Sequence, residues 1–113
     1  MENRKKGSLA EDKAILFLKN KGYNILYKNF YTMYGEIDII GEKNDLIVFF
    51  EVKYRKSLKN GYPREAVSKT KQQKIKKTAL LYISKNNIIN KDFSFDVVEI
   101  IDNNIIHIEN AFY

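Results

Sequence analysis

The sequence predicts an α/β fold, a mixed β-sheet with helices packed against it, in the order α-β-β-β-α-β-β. Three observations carry this. Residues 9–21 and 64–86 repeat apolar residues at helical spacing, and five shorter runs are rich in β-branched and aromatic residues. Asn44-Asp45 joins two of those runs so tightly that they must pair antiparallel. The chain has 113 residues, 44% hydrophobic and 30% charged, which suits a single packed domain over residues 1–113.

Residues 1–7 are polar and basic and are expected to fray. Ser8 and Glu11 have the capping-box spacing, so a helix is expected over 9–21, with Ala10, Ala14, Ile15, Phe17 and Leu18 inward. Gly22 suits the position just past its end. Residues 23–30 read as a strand, and 35–55 as a hairpin. A polar loop, 56–62, contains Gly61. Pro63, the one proline, suits a helix start, so the longest helix is expected from Arg64 to about Asn86. Its apolar stripe would be Ala66, Val67, Ile75, Ala79, Leu80, Tyr82 and Ile83. Residues 93–101 and 105–109 form the last two strands around a turn at 102–104, and the aromatic residues of 110–113 are placed to dock on the core.

Composition excludes several chemistries. With no cysteine there are no disulfides and no thiolate sites. The single histidine, His107, argues against His-rich zinc centres and a Ser-His-Asp triad and reads as structural. No Gly-rich phosphate loop is present. Glu11, Asp12 and Lys13 interrupt any leader-like apolar stretch, and no run approaches the ~20 apolar residues of a membrane helix, so a cytoplasmic protein with no membrane partner is expected. The net charge of +6 fits a polyanionic partner. The abundance of Lys, Asn and Ile also fits an AT-rich genome, so the distribution of charge has to decide.

The hairpin is where charge is concentrated. Pairing Lys43 with Leu46 places Ile40 opposite Phe49, Asp38 opposite Glu51 and Glu36 opposite Lys53. One face then ends in Glu36, Asp38, Glu51 and Lys53, and the other, Ile37, Ile39, Val48, Phe50 and Val52, faces a core. Exposed cross-strand ion pairs would account for such a corner at ~0.2–1 kcal/mol each. A central strand, Val48-Phe-Phe-Glu-Val-Lys53, that turns abruptly ionic is costly without a function. Two acids and a lysine suit phosphodiester hydrolysis. Mg²⁺ or Mn²⁺ takes carboxylate and phosphate oxygens, and an ammonium beside it steadies the attacking water or the developing charge. Glu36, across from Lys53, reads as its support.

A second signal follows the hairpin. Between residues 53 and 77 lie ten Lys or Arg and one acid, Glu65, which is half of the chain's 20 basic residues. Codon usage explains abundance but not this one-signed clustering, which favours a phosphate-contacting surface made of Arg55, Lys56, Lys59, Arg64, Lys69, Lys71 and Lys74, with Gln72 near the site. Such contacts give affinity with little sequence reading. Tyr27, Tyr31, Tyr34, Tyr54 and Tyr62 lie around the same face, where half-buried packing and base stacking are both open. Asp96, in Phe95-Asp-Val-Val98, reads as a structural hydrogen-bonding residue.

Asp38 followed by Glu51-Val-Lys53 resembles the signature of the PD-(D/E)XK, restriction-endonuclease-like superfamily. More of the chain matches one family. Gly7, Glu11, Gly22-Tyr23, Asn29, Gly35-Glu-Ile-Asp-Ile-Ile40, Val48 to Lys53, Arg55, Gly61, Lys71-Gln72, Phe95 to Val98 and Asn110-Ala-Phe112 resemble the YraN-type family of small bacterial proteins, similar in fold to archaeal Holliday-junction resolvases. The resemblance implies a restriction-endonuclease-like sheet flanked by helices and a metal site of Asp38, Glu51, the Val52 carbonyl and Glu11, with Lys53 catalytic. Ile37 stands where the superfamily has a nominal proline. Glu11 thus has two readings, as helix cap and as ligand.

The expectation is a Mg²⁺- or Mn²⁺-dependent DNA endonuclease, with branched or junction DNA as the implied substrate and a homodimer if two strands are cut symmetrically. The alternatives are a nucleic-acid-binding module of the same fold that cuts weakly or not at all, and an adaptor whose basic helix meets an acidic protein.

Overall fold

Three consecutive residues set the layering of the molecule. Val48, Phe49 and Phe50 are each at most 1% exposed, yet Val48 and Phe50 belong to one apolar cluster and Phe49 to another. Side chains alternate along a strand, so the two clusters lie on opposite faces of the sheet. A strand buried on both faces reads as a continuous apolar run, which Leu46 to Phe50 is.

The structure, a computed structural model, describes residues 2–55 and 67–113. Its elements are α1 (Glu2–Asn20), β1 (Asn24–Thr32), β2 (Gly35–Lys43), β3 (Leu46–Arg55), α2 (Lys69–Lys85), β4 (Asp92–Ile101) and β5 (Asn104–Phe112). They form one mixed five-stranded sheet in the order β1-β2-β3-β4-β5, with β3 and β4 parallel and the other neighbours antiparallel. Helix α1 covers one face through Ala10, Ala14 and Leu18, packed on Tyr23, Ile39, Val48, Phe50, Val98 and Ile100. Helix α2 covers the other through Ile75, Ala79 and Tyr82, packed on Phe30, Ile40, Ile47, Phe49 and Phe112. This is the predicted mixed α/β order. Among the described residues no helix is long and apolar enough to cross a membrane.

The helix ends show what local sequence decided. Helix α1 stops where Gly22 adopts φ +98°. Tyr23 N donates to Leu18 O at 3.0 Å and Gly22 N to Lys19 O at 3.0 Å, a Schellman motif closed by the buried Tyr23–Leu18 pair. Its start differs from expectation. The helix begins at Glu2, so Ser8 lies inside it and is not the N-cap, and the first residues extend the helix rather than precede it.

Helix α2 begins at Lys69, with Ser68 as N-cap accepting from Lys71 N. The expected start at Pro63–Arg64 and the loop 56–62 lie outside the described residues, and Val67 precedes the helix instead of lining it. Leu80, expected in the stripe, is 64% exposed, because Ile75, Ala79 and Tyr82 already fill the inward arc. The last strand runs three residues further than expected, which pairs Phe112 with Phe95 and stacks their rings 5.1 Å apart.

Candidate active site

The predicted hairpin register holds from Lys43–Leu46 through Ile40–Phe49 to Ile39–Phe50, around a turn in which Asn44 has φ 56°. There the β2–β3 ladder ends. Asp38 is not paired with Glu51 in it, nor Glu36 with Lys53, which corrects the expected continuation. Strand β3 stays with β4 over its whole length, from Leu46–Asp92 to Arg55–Ile101. The two strands therefore fork. In the fork the Asp38 carboxylate accepts from Val52 N at 2.8 Å, an N–H beyond the last paired residues of β2 and β3. Two carboxylates held directly opposite in a closed ladder would repel at ~5 Å, so opening the strands relieves them.

The alternation of faces also slips here. Asn29 of β1, between the pairs Lys28–Ile39 and Phe30–Ile37, has φ 57°. Tyr27 and Phe30, three apart, both pack on Tyr82. Ile37 accordingly joins the α2-side core, not the Ile39 side where strict alternation placed it.

The fork opens into a pocket of about 350 Å³ under the start of α2, lined by Glu36, Asp38, Glu51, Ser68, Lys71 and Lys74 among others. Asp38 and Glu51 are 7% and 8% exposed. Burial, and next the Glu51 charge, push the Asp38 carboxyl up to about 9, against the Val52 hydrogen bond that lowers it; Glu36 and a side-chain hydrogen bond to Glu51 raise it further. Asp38 therefore keeps its proton near neutral pH. Lys71 reaches Glu51 Oε1 at 2.9 Å from twenty residues away in sequence.

Lys53 is half-buried on β3, in register with Glu99 of β4. Burial and the Lys71 charge lower its ammonium pKa, opposed by Glu51 and Glu99. Glu99 is fully buried and forms an ion pair with Arg55. Arg55, expected among the phosphate contacts, thus pairs with a buried acid inside the sheet. Glu99 was missed in the sequence although it breaks an apolar strand, Val97-Val-Glu-Ile-Ile101, as Glu51 breaks its own.

The other predicted residues separate. Glu11 is hydrogen-bonded to the Asn29 side chain; burial raises its pKa first, and the Glu36 charge raises it further. Glu36 is therefore the carboxylate that acts on both Glu11 and Asp38. The cap reading of Glu11 ends with Ser8 inside the helix. Gln72 Nε2 donates to Val67 O at 3.0 Å, which ties the strand-to-helix connection. Lys69, Lys71 and Lys74 are exposed along the first turns of α2, which carries no acid. Lys56, Lys59 and Arg64 lie outside the described residues.

The donor set fits a hard divalent cation: two buried carboxylates side by side, with Asp38 driven to keep its proton, are what a cation would relieve, and oxygen donors suit Mg²⁺ or Mn²⁺. Asp38 and Glu51 are the residues that could hold it. Among the described residues, no three His, Cys, Asp or Glu side chains already converge into a metal-binding group.

The fold and site define a class: a small mixed α/β domain whose central strands part over a buried dicarboxylate flanked by lysines. Residues 10–100 match the family described as Uncharacterised protein family UPF0102. The chain is 49% identical to a UPF0102 protein of Sulfurihydrogenibium sp. over 112 residues, covering 99% of this chain and 97% of the relative. It is 51% identical to one of Thermodesulfovibrio yellowstonii over 95% of each, and 46% identical to one of Clostridioides difficile over 99% of this chain and all of the relative. The chain belongs to the UPF0102 family.

Proposed function

We propose that this protein is a divalent-metal-dependent DNA endonuclease of restriction-endonuclease-like type. The observation that carries the reading is the fork: β2 and β3 part where Asp38 and Glu51 meet, and burial beside Glu51 pushes Asp38 up to about 9. Strand pairs do not keep two acids in such a place for stability.

Asp38, Glu51 and the Val52 carbonyl would hold Mg²⁺ or Mn²⁺, with Glu11 as a further candidate ligand from α1. A cation bound there would supply Lewis-acid polarisation of the phosphate and an acidified water. Lys53, its pKa lowered by burial, orients the attacking water and offsets charge developing on the phosphate. Lys71 releases Glu51 and turns its ammonium to a phosphate oxygen. Lys69 and Lys74 hold the backbone. A homodimer would present two such sites.

The test is a panel of labelled linear, flapped, single-stranded and four-way-junction DNA with Mg²⁺ or Mn²⁺, comparing wild type with Asp38→Ala and Lys53→Ala. Cleavage by the wild type and by neither variant is expected. No wild-type cleavage, with binding unchanged in both variants, sinks the enzyme and leaves a nucleic-acid-binding module. One observation favours that second reading: the Lys71 ammonium already compensates Glu51.

A further inference from the structure

The two-residue connection between β1 and β2 carries apolar groups into solvent. Met33 is 88% exposed and Tyr34 40%. Loops with exposed large side chains are commonly soft; this one is tied down. Tyr34 N donates to Thr32 Oγ1 at 3.1 Å, and Thr32 Oγ1 lies 3.1 Å from Thr78 Oγ1 of α2, which is fully buried. The tip is thus anchored to the helix while its aromatic and thioether groups stay outward. A backbone held in place lowers the ordering entropy to be lost when a partner covers the side chains it presents.

The tip adjoins the carboxylate pocket. Gly35 and Glu36, the next two residues, line the pocket. A stripe of lysines on α2 joins the two places at steps of three residues, about 4.5 Å along the axis each. Lys71 stands at Glu51, Lys74 lines the pocket, and Lys77 Nζ lies 5.5 Å from the centre of the Tyr34 ring. Cations in a row select a chain of phosphates; an aromatic and thioether surface at the end of that row selects the flat face of a base. A paired base keeps its faces within the duplex stack. An unpaired one offers them.

We propose that Met33 and Tyr34 form a stacking platform for an unpaired nucleotide, which makes DNA with a single-stranded arm or an opened branch the substrate class of the neighbouring pocket. This rests on the nuclease reading for the word substrate, but the recognition itself needs no cleavage. The strand bound along Lys71, Lys74 and Lys77 leaves its duplex at the tip, and the scissile phosphodiester lies within reach of Asp38 and Glu51.

The experiment is binding in EDTA, where nothing is cut. Fluorescence anisotropy compares a blunt duplex with the same duplex bearing a single-stranded arm, and 2-aminopurine at the first unpaired position of the arm reports stacking. The wild type is expected to bind the armed DNA about tenfold tighter than the blunt duplex and to change the 2-aminopurine emission, in line with ordinary base–aromatic stacking. The Met33→Ser/Tyr34→Ala variant is expected to keep the blunt-duplex affinity and lose the preference and the emission change. Thermal unfolding by circular dichroism checks the variant's fold. Equal wild-type affinity for both DNAs, or a folded variant that keeps the preference, overturns the platform and leaves the tip to a protein partner. The wild-type measurement stands even if the variant fails to fold. A preference in EDTA without cleavage in Mg²⁺ upholds the platform and sinks the nuclease; cleavage without preference does the reverse.

Discussion

Two aspartates, Asp38 and Asp96, occupy the same kind of position and live in opposite conditions. Each sits where a β-ladder breaks, and each accepts a main-chain N–H there: Asp38 from Val52 at the fork of β2 and β3, Asp96 from Asn110 at the irregularity between β4 and β5. Around Asp96 the chain completes the set. His107 Nε2 lies 2.7 Å away, Ser94 donates to the other oxygen, and Lys21 holds the far side of the imidazole at Nδ1, so the ring's Nε2–H points to Asp96. Around Asp38 the chain brings a second and a third acid, Glu51 and Glu36. A carboxylate surrounded by donors holds structure together; one crowded by other carboxylates is held protonated, the condition that the proposed cation would relieve.

The widest separation between the two is expected in their alanine variants. Asp38→Ala should abolish cleavage by about 10³-fold or more while the fold survives, since it removes a buried acid crowded by Glu51 and Glu36. Asp96→Ala should cost about 3 kcal/mol of stability, because His107, Ser94 and the Asn110 N–H lose their common acceptor, and leave cleavage by the folded fraction intact. Single-turnover cleavage and urea unfolding on both variants read these directly; a reversal of the pattern would mean that the roles are exchanged.

The pH dependence sharpens the same contrast. From the ordinary carboxylate range near pH ~4 up to about 9, folded Asp38 keeps a proton that the unfolded chain has released. The folded state then binds more protons, so metal-free stability falls as pH rises through that window, by at most ~1.4 kcal/mol per unit. Asp38→Asn should lose this slope, and in EDTA it should gain stability over wild type at pH 8 relative to pH 6, as urea midpoints will show. Metal binding, which requires the ionised pair, should strengthen over the same range.

A smaller effect is expected at Lys71. Lys71→Met should bind Mn²⁺ about tenfold more tightly by calorimetry, because no ammonium competes for Glu51. It should lose about 1 kcal/mol of metal-free stability, since the lysine is half exposed and its ion pair is screened. Weaker Mn²⁺ binding would make Lys71 a support of the site instead of a competitor. The smallest is at Ser68: Ser68→Ala removes the α2 N-cap and should cost ~1 kcal/mol with only a slight loss of cleavage, by thermal unfolding and the same assay.

Much of this architecture was legible in the chain. The hairpin turn and its register as far as Ile39–Phe50 followed from Asn44-Asp45 and period-two counting, and Gly22 marked the end of α1 from its conformational freedom alone. Asp38, Glu51 and Lys53 stood out because charges interrupt an apolar strand. The N-cap at Ser8 failed, since a capping pattern is local and the helix simply runs through it. Glu99 escaped because its partner Arg55 lies across a parallel pair that no short turn announces.

The sequence by itself determined the order of elements, the faces along most of β3 and the two acids with their lysine, because turns, caps and periodicity act over a few residues. The tertiary structure alone decided that β3 keeps β4 and lets go of β2, that Asp38 takes Val52 N–H, and that Lys71 arrives at Glu51 from the helix packed on that face. Those outcomes depend on which distant strand and helix share a face, and the free energy of that choice is spread over the whole core.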